Sequence, residues 1–235
     1  MKKLMLAFSS FVALAASAQT ADEIIQRYTA GMGGLDAFNK TTTAKMTGTV
    51  TLQENDFPLT SQIINGKAMR TDVDVMGQQV INVYNNGTGW KINPYAGATT
   101  ATDVTGTELN DFKAQASLAN NLMDYKNRGH QVELLGQGDV VGVKTFKIKL
   151  TTKEDGRITT FYISTSDYTL LKSETTRPFQ GQDANFETFY SDIQVIGGLK
   201  FSMTRSQQVD GQQVQGLHFD KIELNVPVDE KIFAK

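Results

Sequence analysis

No cysteine occurs among the 235 residues, which removes disulfides, thiol nucleophiles and thiolate metal ligands together. Histidine is almost as scarce: His130 and His218 are the only two, and neither stands in an H-x-x-H or H-E-x-x-H spacing, which argues against a transition-metal site. There is no G-x-S-x-G elbow for a serine nucleophile. Four prolines and no Pro- or Ser-rich stretch leave no linker to divide the chain. Charge of one sign is missing as well: the formal net charge is −2, and −4 once Lys2 and Lys3 leave with the leader described below. That is too mild for attraction to nucleic acid or to anionic membranes. Apart from residues 4–16 no apolar run is long, and this one falls short of the ~20 residues that a spanning helix needs.

What is present begins with that run. Lys2 and Lys3 precede it, and Ala16-Ser17-Ala18 forms a small-x-small cleavage site before Gln19, the pattern of a secretory signal peptide. No cysteine follows to be acylated, so residues 19–235 are expected to be one domain, soluble after export. In an oxidising compartment without disulfides its stability must come from a packed core. A chain of this length supports one, since it buries roughly 70% of its unfolded surface.

Thr20 and Glu23 have the capping-box spacing and predict a helix from Ala21, with Ile24, Ile25, Tyr28 and Met32 as its apolar stripe. The glycines of "GMGG" stop it, and Leu35 and Phe38 suggest a further turn. No strand precedes these glycines and no Walker pattern follows, so a helix end explains them better than a phosphate loop. From Lys45 onward apolar and polar residues alternate. Asn65-Gly66, Asn86-Gly87, Asp155-Gly156 and Asp210-Gly211 punctuate the alternation with the positive-φ chemistry of hairpins. A two-residue turn at Asn86-Gly87 pairs Val83 with Trp90 and Ile81 with Ile92 on one face. The same reading at Asp155-Gly156 pairs Leu150 with Phe161 and Ile148 with Ile163. A three-residue loop at 76–78 sets Val73 opposite Ile81. Further strands are expected over 131–135, 144–152, 168–176, 186–196, 200–208 and 213–226. In the last of these the apolar phase switches between Phe219 and Ile222, which calls for a bulge near Asp220.

Residues 105–129 break the β pattern. Thr105 and Glu108 repeat the capping-box spacing, Gly129 closes the segment, and Leu109, Phe112, Ala116, Ala119 and Met123 recur at helical spacing. One amphipathic helix inserted between two halves of a sheet follows. It must cover an apolar face, and incomplete cover leaves a cavity. Asp72 and Asp74 project from the face opposite Val73 and Val75; a calcium site or a glycosidase pair is conceivable there, but a solvated strand face explains the alternation.

The order of pieces resembles the LolA/LolB-type, outer-membrane-lipoprotein-sorting-like proteins of the periplasm. The likeness is carried by the helix ending in "GGLDAF", by "GKAMRTDVDVMGQQVINVYNNGTGWKINPYAG", the inserted helix, "KTFKIKLTTKEDGRITTFYI", "ETFYSDIQVIGGLKF" and "FDKIELNVPVDEKIFAK". It implies a mainly β (α+β) fold: an incomplete antiparallel β-barrel of about eleven strands, with an N-terminal helix and a lid helix over an apolar cavity. It further implies a periplasmic carrier of lipid or acylated lipoprotein, monomeric, free of metal and cofactor. Its protein partners would be an inner-membrane release complex or an outer-membrane receptor. Ile81, Val83, Trp90, Ile92, Leu109, Phe112, Met123, Ile148, Leu150, Phe161 and Ile163 become the expected cavity residues, and Arg70 in "GKAMRTDV" the nearest match to an arginine that tethers the lid. The flanking Pro-Gly pattern of that arginine is absent here. A filled-core interaction module of the cell envelope is the alternative reading, and an unrecognised hydrolase the third.

Overall fold

The computed structural model describes residues 19–179 and 181–235; the expected signal peptide lies outside them. Helix α1, Ala21–Gly31, opens with the capping box in place: the Thr20 hydroxyl accepts the Glu23 N–H, and the Glu23 carboxylate accepts the Thr20 N–H. It buries Ile24, Ile25 and Tyr28. Helix α2, Leu35–Lys40, follows and buries Phe38.

Thirteen strands then form one antiparallel sheet in the order β6-β5-β4-β3-β2-β1-β13-β12-β11-β10-β9-β8-β7, two more than the resemblance implied. They are β1 Thr43–Leu52, β2 Asn55–Ile64, β3 Ala68–Val75, β4 Gln78–Asn85, β5 Thr88–Asn93, β6 Ala98–Val104, β7 Gln131–Val140, β8 Val143–Thr151, β9 Ile158–Ser164, β10 Leu170–Phe179, β11 Gln182–Ile196, β12 Leu199–Val209 and β13 Gln212–Leu224. Each consecutive pair is a hairpin except β6 and β7, the two edges. The residues between those edges must therefore cross the gap of the open barrel. One buried cluster draws Met46, Leu59, Met69, Tyr84, Ile148, Phe161, Phe201 and Phe219 together with α1 and α2. Strands from both halves can share a core in this way only if the sheet curls around it.

The predicted bulge is present: Thr47 pairs with Lys221 and Gly48 with Phe219, leaving Asp220 extra. Gly48 is what the bulge needs opposite it, because a Cβ there would lie 2.0 Å from the His218 carbonyl oxygen. Phe219 and Ile222 consequently both face the core.

Register decides which face each side chain takes, and three hairpins differ in what they keep. At Asn86-Gly87 the pairing Val83–Trp90 and Ile81–Ile92 is as predicted, with φ of 46° and 92° at the two turn residues. At Asp155 the loop is longer than two residues, so Ile148 pairs with Phe161 and Phe146 with Ile163; a shift of two keeps the face. At Met76-Gly77 the loop is shorter than predicted: Val75 pairs with Gln78 and Ile81 with Asp72, not Val73. Met76 takes a φ of 51°, a conformation uncommon for a non-glycine residue. A shift of one sends Ile81 to the opposite face.

The inserted segment is not one helix. It runs as α3, Gly106–Gln115, an irregular stretch over 116–124, and α4, Tyr125–Arg128. Ser117, Asn120, Asn121 and Asp124 lie in the break, where short polar side chains compete for backbone groups. Asn120 Oδ1 accepts the Met123 N–H, and Arg128 donates to Ser117 Oγ, the Ala119 carbonyl and Asn121 Oδ1. Thr105 caps α3 without a side-chain hydrogen bond; Glu108 is instead held by Lys91, with Nζ to Oε1 at 2.6 Å.

Candidate functional site

The insertion lies on the inner face of the curled sheet. Phe112, Ala116, Ala119, Leu122 and Met123 are buried in the main core cluster, with Leu109 packed against it. Leu109 closes so tightly on β5 that a Cβ at Gly89 would lie 2.9 Å from its Cδ1. Around this apolar contact runs a polar latch. Arg157, in the loop after β8, pairs with Asp111 and donates to the Thr107 carbonyl, while Lys113 meets Glu154 at 3.2 Å. The middle of the insertion is pinned by Asn65, whose Oδ1 accepts the Leu118 N–H at 3.0 Å, and by the Gly66 N–H on the Ala116 carbonyl at 2.8 Å.

Beneath the irregular stretch a cavity of about 90 Å³ remains, lined among others by Tyr28, Phe38, Leu118, Met123, Leu170 and Phe201. A water's share of liquid volume is about 30 Å³, so this space has room for a few small groups. Tyr28, Asn120, Tyr190 and Arg205 add polar atoms to its wall. A larger groove of about 640 Å³, at the tips of the β1–β2 and β12–β13 hairpins, is lined by residues such as Gln53, Glu54 and Gln213. Its lining is made mostly of glutamine and other polar side chains, whereas the space under the irregular stretch is walled by core residues such as Tyr28, Phe38 and Phe201 and is the better candidate.

The expected cavity residues divide between two faces. Leu109, Phe112, Met123, Ile148, Leu150, Phe161 and Ile163 belong to the inner cluster; of these only Met123 lines the cavity. Ile81, Val83, Trp90 and Ile92 do not face it. Val83 and Trp90 form a separate outer cluster with Ala68 and Phe233, against which Ile81, Ile92, Val228 and Ile232 pack. The physical reason is the Met76-Gly77 register: Ile81 shares its face with Asp72 and Arg70, not with Val73. Trp90 Nε1 donates to the Phe233 carbonyl at 3.3 Å. What it faces is the C-terminal segment, strapped across the outside of β3–β5.

Arg70 is likewise no lid tether. It lies on that outer face, forks onto Asp72 with Nη2 to Oδ1 at 2.7 Å, and donates from Nη1 to the Ile232 carbonyl at 2.8 Å. Lys67–Glu230 at 2.9 Å and Lys235–Asp103 at 2.7 Å complete the strap. Asp72 is thus consumed by Arg70, and Asp74 accepts the Gly77 N–H. No grouping of His, Asp and Glu fit to hold a metal occurs among the described residues. Arg157 is an arginine that reaches the insertion from a sheet loop, while Arg128 braces it from within. In the sequence Arg157 carries no such signal, because a loop position next to Asp155-Gly156 reads as turn chemistry.

No protein-family model matches the chain, and no curated protein matches it in sequence. Solved structures do. A LolA superfamily protein from Nitrosomonas europaea superposes with a TM-score of 0.61 at 12% identity, covering 93% of this chain and 99% of that one. The fold is LolA-like. A DUF1329 family protein from Desulfovibrio piger follows at TM-score 0.60 and 10% identity, covering 92% and 98%. A domain assigned to outer membrane lipoprotein sorting, from Vibrio parahaemolyticus, gives 0.58 at 13%, covering 91% and 97%. Within this fold the open side of the sheet is spanned by α3, the irregular stretch and α4, not by one long helix.

Proposed function

We propose that the chain is a carrier or binding protein of the cell envelope, which shelters lipid, or the acyl chains of a lipid-modified protein, on the inner face of its half-barrel. The observation that carries this reading is the segment joining the two edge strands. It crosses an apolar interior on two short helices and a break, held at its margin by ion pairs, and leaves a cavity under the break. A cover of this kind can move without unpairing any strand. Each buried methylene contributes roughly 0.8 kcal/mol, so even part of an acyl chain offsets the cost of opening. The likeness to a LolA superfamily protein and to a lipoprotein-sorting domain supports the same reading. On this view residues 1–18 are a signal peptide and residues 19–235 one monomeric periplasmic domain. It has no catalytic residue, and a membrane-bound release complex or receptor is its protein partner.

The small cavity volume favours one second reading, an envelope interaction module with a filled core. Native mass spectrometry of residues 19–235, purified from periplasm without detergent and extracted with solvent, separates the two. Co-purifying phospholipid, fatty acid or acylated peptide supports the carrier. A bare mass, with no uptake of added lipid, supports the module.

A further inference from the structure

We propose that the space under the irregular stretch is a site for an amphiphile with an anionic head, whose carboxylate or phosphate oxygens are taken by Tyr28 and Arg205 while its chain runs toward Phe38, Met123 and Phe201. This rests on the carrier reading above and adds a head-group requirement to it.

Tyr28 carries the first half of the argument. Its side chain is 1% exposed. Asn120 Oδ1 accepts the Met123 N–H at 3.0 Å, which fixes the amide so that Nδ2 donates to the Tyr28 oxygen at 2.7 Å. The phenol is therefore an acceptor in that bond, and its own proton finds no acceptor among the described residues. Burial raises its pKa far above the usual phenol range, so the proton stays. A buried donor without an acceptor is rare in folded proteins and calls for an explanation; here it lies on the wall of a cavity.

Arg205 carries the second half. It lies exposed on the same cavity's lining, where Lys200 is the other charged residue and no Asp or Glu is present. Arg70, Arg128 and Arg157 sit in ion pairs, and Arg27 and Arg177 donate to Tyr168 and Gln207; Arg205 has neither a carboxylate nor a hydrogen-bond acceptor among the described residues. Its guanidinium instead lies 5.9 Å from the ring centroids of both Tyr190 and Phe219. Aromatic faces position an arginine while leaving its in-plane donors free for a forked anion. A buried phenol proton without an acceptor and a guanidinium without a carboxylate thus meet apolar side chains at one cavity, a polar end and an apolar body in the order an anionic amphiphile has.

The test uses residues 19–235 stripped of lipid, titrated calorimetrically with palmitate, hexadecyl phosphate and uncharged monopalmitoylglycerol, and with acetate and inorganic phosphate. The charged amphiphiles should bind more tightly than the uncharged one. Arg205→Gln should weaken them about tenfold, the scale of one charge-assisted hydrogen bond, and leave monopalmitoylglycerol unchanged. Tyr28→Phe keeps the ring and should weaken them several-fold, with a wild-type unfolding midpoint certifying the fold. Whichever charged amphiphile binds more tightly assigns the head as carboxylate or phosphate. Equal binding of charged and uncharged amphiphiles, or an Arg205→Gln protein that binds palmitate like wild type, overturns the head-group site and leaves the carrier reading standing. Acetate or phosphate binding as tightly as the amphiphiles overturns it too, as an anion site with no chain. If no amphiphile binds at all, both readings fall.

Discussion

A buried histidine whose Nδ1 already accepts a backbone N–H cannot be protonated there without losing that bond. His130, 8% exposed and accepting the Lys153 N–H at 3.2 Å, is in this position. Burial holds its pKa below the ordinary 6.5 despite Glu154, whose nearby carboxylate pulls the other way. The folded state therefore binds fewer protons here than the unfolded one. Its contribution to stability is complete above the unfolded value of 6.5 and is lost as pH falls through the lower folded value. Urea midpoints measured from pH 8 down to 5 should fall on acidification. His130→Gln, which keeps an acceptor but cannot titrate, should flatten that slope; an unchanged slope would show that other groups carry it. The sequence around His130 does not show this burial, because the ring is covered by residues of the 152–157 loop, which reach it through the tertiary fold. Asp220 is the opposite case. The phase switch between Phe219 and Ile222 is local, so the bulge was visible in the residues alone.

At the level of elements, the C-terminal strap turns the chain's one tryptophan into a reporter of its own docking. Phe233 is 2% exposed and Trp90 9%, and the strap's other apolar contacts come from Val228 and Ile232. Phe233→Ala should cost about 3 kcal/mol, the range for truncating a buried aromatic, and should red-shift Trp90 emission as water reaches the indole. Unshifted emission in a destabilised variant would mean that Phe233 stabilises the fold without covering Trp90. The strap could not be read from sequence for a physical reason. Which face Trp90 takes depends on Ile81, and Ile81 depends on whether Met76 accepts a positive φ; one residue in one turn reassigns four side chains. The N-terminal helix, the Asn86-Gly87 hairpin and the helical insertion were legible because each is written in contiguous residues. The break inside the insertion was not, since Asn65 and Gly66, which satisfy part of its backbone, reach it through the tertiary fold.

For the molecule as a whole, the carrier reading proposed above asks two opposite things of one segment, to shelter cargo and to release it. The sheet is continuous from β6 to β7 and gains nothing by opening, whereas the cover is held at its rim by Lys91–Glu108, Lys113–Glu154 and Arg157–Asp111. Exposed pairs of this kind are each worth ~0.2–1 kcal/mol, enough to bias a two-state cover and too little to set global stability. Local opening free energies well below the global value are what mobile covers require. Arg157 touches both Asp111 and the Thr107 carbonyl, so Arg157→Ala should loosen the first turns of α3 with a loss of global stability under about 1 kcal/mol. Amide exchange should then rise across residues 106–129 while the β1–β13 and β11–β12 pairs keep their protection. Uptake of a fluorescent fatty acid should accelerate several-fold in the same variant. Exchange rising uniformly over the sheet would make Arg157 a structural residue of the whole fold. Wild-type exchange with wild-type uptake would mean that the apolar contacts of Leu109 and Phe112, and not the rim, keep the barrel closed.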